Sequence, residues 1–226
     1  MILNFRRRTR SGFARDMLES FPSGMTVPDA LIQFFHWLER RQLDRRGGHD
    51  GKYVYATIDV EPFASCIEIT PVDPAHVAAW TRFEPSLASE IRLAPFCRTG
   101  GDGSYAALWI DDSGAPHIVH LGSGSGSTMM GVLADDAVDF LRLLAIGYEE
   151  LCWPDHFDRT PKEIYDAQGD CMEPFNEPVN FQRWVSDTFD VTVPSTASEI
   201  VAKVADMDAE ESDDPFWRWI RANVWE

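Results

Sequence analysis

The feature that most constrains the fold of this chain is a repeated alternation of apolar segments and glycine turns. Between residues 91 and 133, the segments IRLAPFC, SYAALWI, PHIVHL and TMMGVLA are separated by the turns RTGGDG, DDSGA and GSGSGS. Short apolar segments bounded by glycine-containing turns are typical of strands joined as hairpins. The sequence therefore predicts an antiparallel meander over residues 91–133.

The segment SYAALWI is apolar on both of its alternating faces. One face carries Tyr105, Ala107 and Trp109, and the other carries Ala106, Leu108 and Ile110. A strand of this composition is typical of the centre of a sheet that is covered on both sides. We expect helices to provide that cover.

Helical patterns flank the predicted meander. Apolar residues recur at helical spacing within 26–46 and again in AVDFLRLLAI. Either Asp135 or Asp136 can cap the start of the second helix, and Gly147 follows its end. Two alternating segments, YVYATIDV and SCIEIT, are predicted to pair as strands. Residues 74–90 are ambiguous, with a helix as one reading. The predicted fold class is α+β, a mainly antiparallel sheet with helices packed against it.

The composition of the sequence changes near Cys152, where a segment rich in Pro and Asp begins. We expect an α+β domain over residues 1–152 and an acidic, mainly helical extension over residues 153–226, packed on the same domain. Helical patterns lie around 181–189 and 195–205. Beyond the acidic run MDAEESDD, the segment PFWRWIRANVW predicts a terminal helix whose tryptophans dock as core.

Charge and cysteine usage narrow the class of protein. The net charge is −17; residues 1–52 carry ten Lys and Arg and six Asp and Glu, net +4, and the remainder is net −21. An acidic body repels nucleic acid and favours a basic protein partner, although acidity also serves solubility. The four cysteines form no C-x-x-C pair, and neither a secretory signal nor an apolar run of membrane-spanning length is found. We expect reduced thiols and a cytoplasmic protein that binds neither nucleic acid nor membrane.

The glycine run LGSGSGSTMM resembles a phosphate-binding loop but lacks its parts. A P-loop needs Gly-Lys-Ser/Thr, whereas Gly126 is followed by Ser127 and Thr128, and the glycines do not fit G-x-G-x-x-G. We expect a turn that binds neither ATP nor GTP. Gly122 is expected to matter for its backbone, and Ser123, Ser125 and Ser127 are expected to be replaceable.

Other candidate chemistries also fail on spacing. His117 and His120 lie three apart on a predicted strand and so point to opposite faces, and Cys152 and His156 lack a second ligand pair. No G-x-S-x-G motif is present, and the turn GGDGS lacks the ligands of a calcium loop. We expect no metal, no cofactor and no enzymatic activity.

The stretch from Phe96 to Tyr148 resembles the SUKH superfamily, which includes bacterial immunity proteins and fungal cell-wall-assembly regulators. The resemblance is carried by GGDGSYAALW, PHIVHLGSGSG and DDAVDFLRLLAIGY. The matching family positions are Gly101, Asp102, Gly103, Trp109, Gly122, Phe140 and Leu141. It implies an α+β domain and a binding role without a cofactor.

The resemblance and the charge together suggest an immunity protein that neutralises a cognate polymorphic toxin with a basic surface. A housekeeping regulatory or scaffold protein is the alternative. The candidate partner contacts are the loop aspartates Asp102, Asp111 and Asp112, because loops on a rigid scaffold commonly carry binding residues. A purely turn-forming role, with each carboxylate bonded to its own backbone, is the competing interpretation for each of them.

Overall fold

One antiparallel sheet organises the chain. The computed structural model describes residues 11–47, 53–58, 65–80, 92–169 and 175–225. Within them, eight strands lie in sequence order: β1 Asp44–Gly47, β2 Tyr53–Ala56, β3 Glu68–Ile69, β4 Leu93–Arg98, β5 Tyr105–Ile110, β6 Pro116–Leu121, β7 Met129–Ala134 and β8 Ala205–Asp206. The predicted α+β class and the meander are confirmed, and β2 pairs with β3 through Ala56 and Ile69.

Seven helices accompany the sheet in the described part of the chain. They are α1 Phe13–Ser20, α2 Asp29–Arg41, α3 Pro74–Trp80, α4 Ala137–Ile146, α5 Pro161–Ala167, α6 Val179–Phe189 and α7 Pro215–Ile220. The predicted cap of α4 is confirmed, because the Asp136 carboxylate accepts from the N–H groups of Val138 and Asp139 at 2.8 and 2.9 Å. The helix ends at Gly147, whose φ of 94° suits glycine.

The larger core lies on one face of the sheet. Ala106 and Leu108 of β5 point into it, and they are fully buried beside aromatic side chains of α2, β4 and α4. Phe96 is central, since its ring lies 6.2 Å from that of Phe35 and 5.7 Å from that of Phe140. Phe181 of α6 joins the same core, so the C-terminal extension packs on the body of the domain.

The smaller core lies on the opposite face and is covered by α7. Trp109 of β5 contacts Phe216 and Trp219, with ring centroids 5.3 and 5.6 Å apart. Phe216 and Ile220 are fully buried there. Burying one such side chain contributes about 2–3 kcal/mol relative to leaving it exposed. The predictions of a doubly covered central strand and of a docked terminal helix are therefore both confirmed.

Two helix predictions are corrected, and two segments without a firm prediction contain a helix. The helix predicted over 26–46 ends at Arg41, because Gln42 adopts a φ of 58° and the chain then enters β1. Helix α1 carried no prediction. Over 195–205 the chain forms only a short 3₁₀ turn, Ala197–Glu199, before β8. Helix α3 covers the first part of the ambiguous 74–90 segment, and the rest of it, like Asp59, Val60 and Cys171, lies outside the described residues.

Candidate functional site

The two glycine turns at one end of the meander are joined by the carboxylate of Asp102. Its Oδ1 accepts from Ser104 N at 3.0 Å, and its Oδ2 accepts from Ser104 Oγ at 2.7 Å. The same Oδ2 reaches the second turn, where it accepts from Ser123 Oγ and Ser127 N, both at 2.8 Å. One side chain thus ties the β4–β5 turn to the β6–β7 turn, and we call this arrangement the Asp102 joint.

The glycines of the second turn leave room for this joint. A Cβ at Gly126 would lie 2.6 Å from the Cβ of Asp102, and a Cβ at Gly122 would lie 2.6 Å from the carbonyl oxygen of Ser127. Gly124 has a φ of 73° and donates its N–H to Ser127 O at 2.9 Å. Because the N–H groups of residues 123, 124, 126 and 127 are bonded within the chain, the turn is not built to cradle a phosphate.

The first glycine turn is held by the chain behind it. Gly101 donates its N–H to Glu150 Oε1 at 2.6 Å and accepts from the Arg98 guanidinium at 2.9 Å. Gly103 has a φ of 95°, a conformation that side chains rarely adopt. These two motif positions are explained by backbone geometry.

Electrostatics favour an ionised carboxylate at the Asp102 joint. Partial burial alone would raise the pKa of Asp102, but the hydrogen bonds from Ser127, Ser104 and Ser123 outweigh it and lower the pKa to about 2. The carboxylate is therefore charged at neutral pH and acts as an acceptor only.

A buried histidine lies next to this joint. His120 Nδ1 donates to Met129 O at 2.9 Å, and its Nε2 lies 3.0 Å from Thr99 Oγ1, which donates to it. Burial lowers the pKa of His120 to about 4, so the ring is neutral at pH 7. It is a core side chain with both nitrogens bonded, and His117 points to the opposite face as predicted.

The aspartates of the β5–β6 hairpin also bond within the chain. Asp111 Oδ1 accepts from the N–H groups of Ser113 and Ala115 and from Ser113 Oγ, each at 2.8 Å. Its Oδ2 lies 3.3 Å from His117 Nε2. Asp112 is 83% exposed and pairs with Arg92, which also donates to Asp111 O at 2.6 Å.

These contacts change the meaning of the three predicted partner residues. The carboxylates of Asp102 and Asp111 hold turns together, which is the competing interpretation kept open for them. Asp112 projects outward but is already matched to an arginine. Partner contact by the three stays a prediction. The structure gives a reason to revise the expectation that Ser123 and Ser127 are replaceable. Ser123 Oγ donates to Asp102 Oδ2, and Ser127 Oγ accepts from Met129 N at a position that is 3% exposed. We therefore expect both side chains to contribute to stability. Of the three serines, Ser125 is the exposed one, and it takes no part in the Asp102 joint.

The remaining residues on which the sequence resemblance was based lie in the two cores. Phe140 and Leu141 are fully buried in the larger core, and Trp109 is buried in the smaller one. The indole N–H of Trp109 and Nδ1 of His117 are buried without a hydrogen-bond partner in the described part of the chain. None of these three motif side chains is placed to contact a partner.

The thiols are not arranged for chemistry. Cys66, Cys97 and Cys152 are free, in agreement with the prediction for the described cysteines. Burial raises the pKa of all three thiols, which disfavours the reactive thiolate. Glu150, which lies 3.8 Å from Cys152 Sγ, adds to this effect.

An acidic groove beside the last two strands was not predicted. It has a volume of about 930 Å³ and lies between the end of β7 and residues 200–218. Six acidic and two basic side chains line it: Asp135, Asp206, Glu210, Glu211, Asp213 and Asp214, with Lys203 and Arg218. The acidic run MDAEESDD, which supplies four of these six acidic side chains, is the sequence signal that could have indicated it. We call this feature the acidic groove.

Asp214 anchors the groove to the sheet. Its carboxylate accepts from Val132 N of β7 at 2.8 Å and from Trp217 N at 2.9 Å. The second of these hydrogen bonds caps the N-terminus of α7. Burial raises the pKa of Asp214. A Cβ at Gly131 would lie 2.6 Å from this carboxylate, so glycine permits the approach. The floor of the groove is therefore fixed to the sheet.

In the described ranges, no three His, Cys, Asp or Glu side chains are grouped to hold a metal ion. None of the helices described is long and apolar enough to cross a membrane. No protein-family model, curated protein or solved structure matches the chain.

Proposed function

We propose that this protein is an immunity protein that binds a cognate polymorphic toxin in the cytoplasm and neutralises it by direct contact. The observation that carries the proposal is the acidic groove, a concave surface rich in carboxylates on a chain with a net charge of −17. The resemblance of residues 96–148 to SUKH proteins supports the same role. No cofactor is required for such an activity.

The chemistry of inhibition follows from charge. A toxin that cleaves nucleic acid needs a cationic surface for phosphates, and an acidic inhibitor can occupy that surface. Electrostatic attraction also speeds association, which matters for an inhibitor that must act before damage occurs. The inhibitor then acts by stoichiometric binding, without turnover.

Coexpression with a toxin tests the proposal. A toxic domain encoded beside this gene is expressed in a sensitive host with and without the chain, and the purified pair is examined for a stable complex. We expect growth to be restored and the complex to form in a fixed stoichiometry. Toxicity unchanged by coexpression, with no complex, would contradict the proposal and favour a housekeeping regulator.

A further inference from the structure

The acidic groove has the shape of a docking surface for chain segments. Its volume of about 930 Å³ lies at the upper end of the range for ligand pockets, so it has room for several side chains. Val132, Ile200 and Val204 line it and are each partly exposed. The groove therefore offers apolar contact as well as charge.

Its carboxylates are placed for separate contacts. Within the described residues no three of them are grouped around one ion position, which disfavours a single metal as the occupant. Glu210 and Glu211 are exposed at the rim, whereas Asp214 is buried at the floor. Exposed carboxylates along a groove suit a ligand that carries several cations at intervals.

One arginine of the chain, Arg218, already pairs with a carboxylate of the groove. The guanidinium of Arg218 pairs with Asp213 and donates its Nε–H to Ser212 O at 2.8 Å. Outside the groove lining, Arg221 lies over the ring of Trp217, with 5.1 Å between its Cζ and the ring centroid. Planar guanidinium groups suit both carboxylate pairing and aromatic stacking.

We propose that the acidic groove binds a surface segment of the partner protein in which Arg or Lys side chains alternate with apolar ones. The cations contact the rim carboxylates Glu210 and Glu211, and the apolar side chains pack against Val132 and Val204. This inference rests on the proposed function, since it identifies the surface through which a basic toxin is held.

A peptide and two matched variants test it. The probe is a fluorescein-labelled nine-residue peptide with the repeat Arg-Val-Lys, and a version with Glu for Arg and Lys is the peptide control. Glu210→Lys/Glu211→Lys alters the rim, and Asp155→Lys/Asp158→Lys alters exposed acids outside the groove by the same charge. Affinities are measured by fluorescence anisotropy at low salt, with circular dichroism as the check on folding.

We expect the rim variant to weaken binding about tenfold and the control variant to change it by less than about twofold. In NMR spectra, the changes in backbone amide chemical shift on peptide addition should be largest at residues 204–212. Equal losses in both variants would mean that total charge alone drives binding, and that result, or no saturable binding by the unaltered chain, overturns the inference. If the rim variant does not fold, Glu210→Gln/Glu211→Gln replaces it, against Asp155→Asn/Asp158→Asn.

Coexpression of the same variants with the toxin separates the two proposals. If both variants protect as well as the original chain and bind the peptide equally, the groove is not the docking surface and the immunity role stands. If the unaltered chain binds the peptide at the groove but gives no protection, the docking inference stands and the immunity role fails.

Discussion

The Asp102 joint and the acidic groove are both acidic, but their carboxylates do different work. At the joint, one carboxylate accepts four hydrogen bonds from two turns and is held ionised. At the groove, Glu210 and Glu211 project into solvent. The aspartate among glycines bonds to its own turns, whereas within the acidic run Glu210 and Glu211 are exposed and Asp214 alone is buried and bonded to the backbone.

The largest effect should follow removal of the joint carboxylate. Asp102→Ala leaves the donors of two turns without their acceptor, and we expect a loss of about 2–4 kcal/mol in the free energy of unfolding. The control Asp112→Ala, at an exposed side chain, should cost less than about 0.5 kcal/mol. Urea denaturation measures both. Equal stabilities would show that the joint is not a stabilising feature.

A variant with asparagine at Asp102, Asp111 and Asp112 makes a milder change to the same turns. Because an amide has only one acceptor oxygen, it does not replace both carboxylate oxygens of Asp102. We expect this triple variant to be destabilised, mainly through Asp102, as urea denaturation would measure.

The second effect is loss of stability in acid. The pKa of His120 is about 4 when folded, below its ordinary value of 6.5, so the unfolded chain takes up the proton first. This contribution is fully present above pH 6.5 and is lost as pH falls toward 4, by an amount of about 3 kcal/mol. The contribution of Asp102 is lost in turn, between its unfolded value near 3.8 and about 2.

Urea midpoints measured between pH 7 and pH 4 check this prediction. His120→Gln removes the titrating ring, so the stability of this variant should change less between pH 6.5 and pH 4 than that of the unaltered chain. At pH 7 we expect the variant to be less stable than the unaltered chain. A stability that is constant from pH 7 to pH 4 in the unaltered chain would contradict the assigned role of His120.

The smallest effect distinguishes the serines of the glycine run. Ser127→Ala removes the Oγ that accepts from Met129 N at 3.1 Å in a buried position, and should cost about 1–2 kcal/mol. Ser125→Ala, at an exposed position, should change stability by less than about 0.5 kcal/mol. Thermal melts of the two variants give the comparison, and identical melting temperatures would show that the hydrogen bond from Met129 N to Ser127 Oγ does not stabilise the turn.

Local signals predicted the meander, the α4 caps and the terminal helix, because alternation, capping and turn chemistry each act within a few residues. Strand β1 was missed since DRRG has no apolar alternation and forms only by pairing with β2. Asp102 lies 21 and 25 residues from the second-turn partners that it bonds. The groove joins Val132 to residues 200–218. Such long-range pairings leave no periodic trace in a sequence.

The cover that α7 places on Trp109 has a consequence for synthesis. The residues that shield this face, Phe216 and Trp219, are made after every strand of the described sheet. Until then, the nascent chain presents Leu93, Trp109 and Val119 as an uncovered apolar surface of the kind that chaperones and proteases recognise. A product that stops before Pro215 would keep that surface, and cellular quality control should remove it.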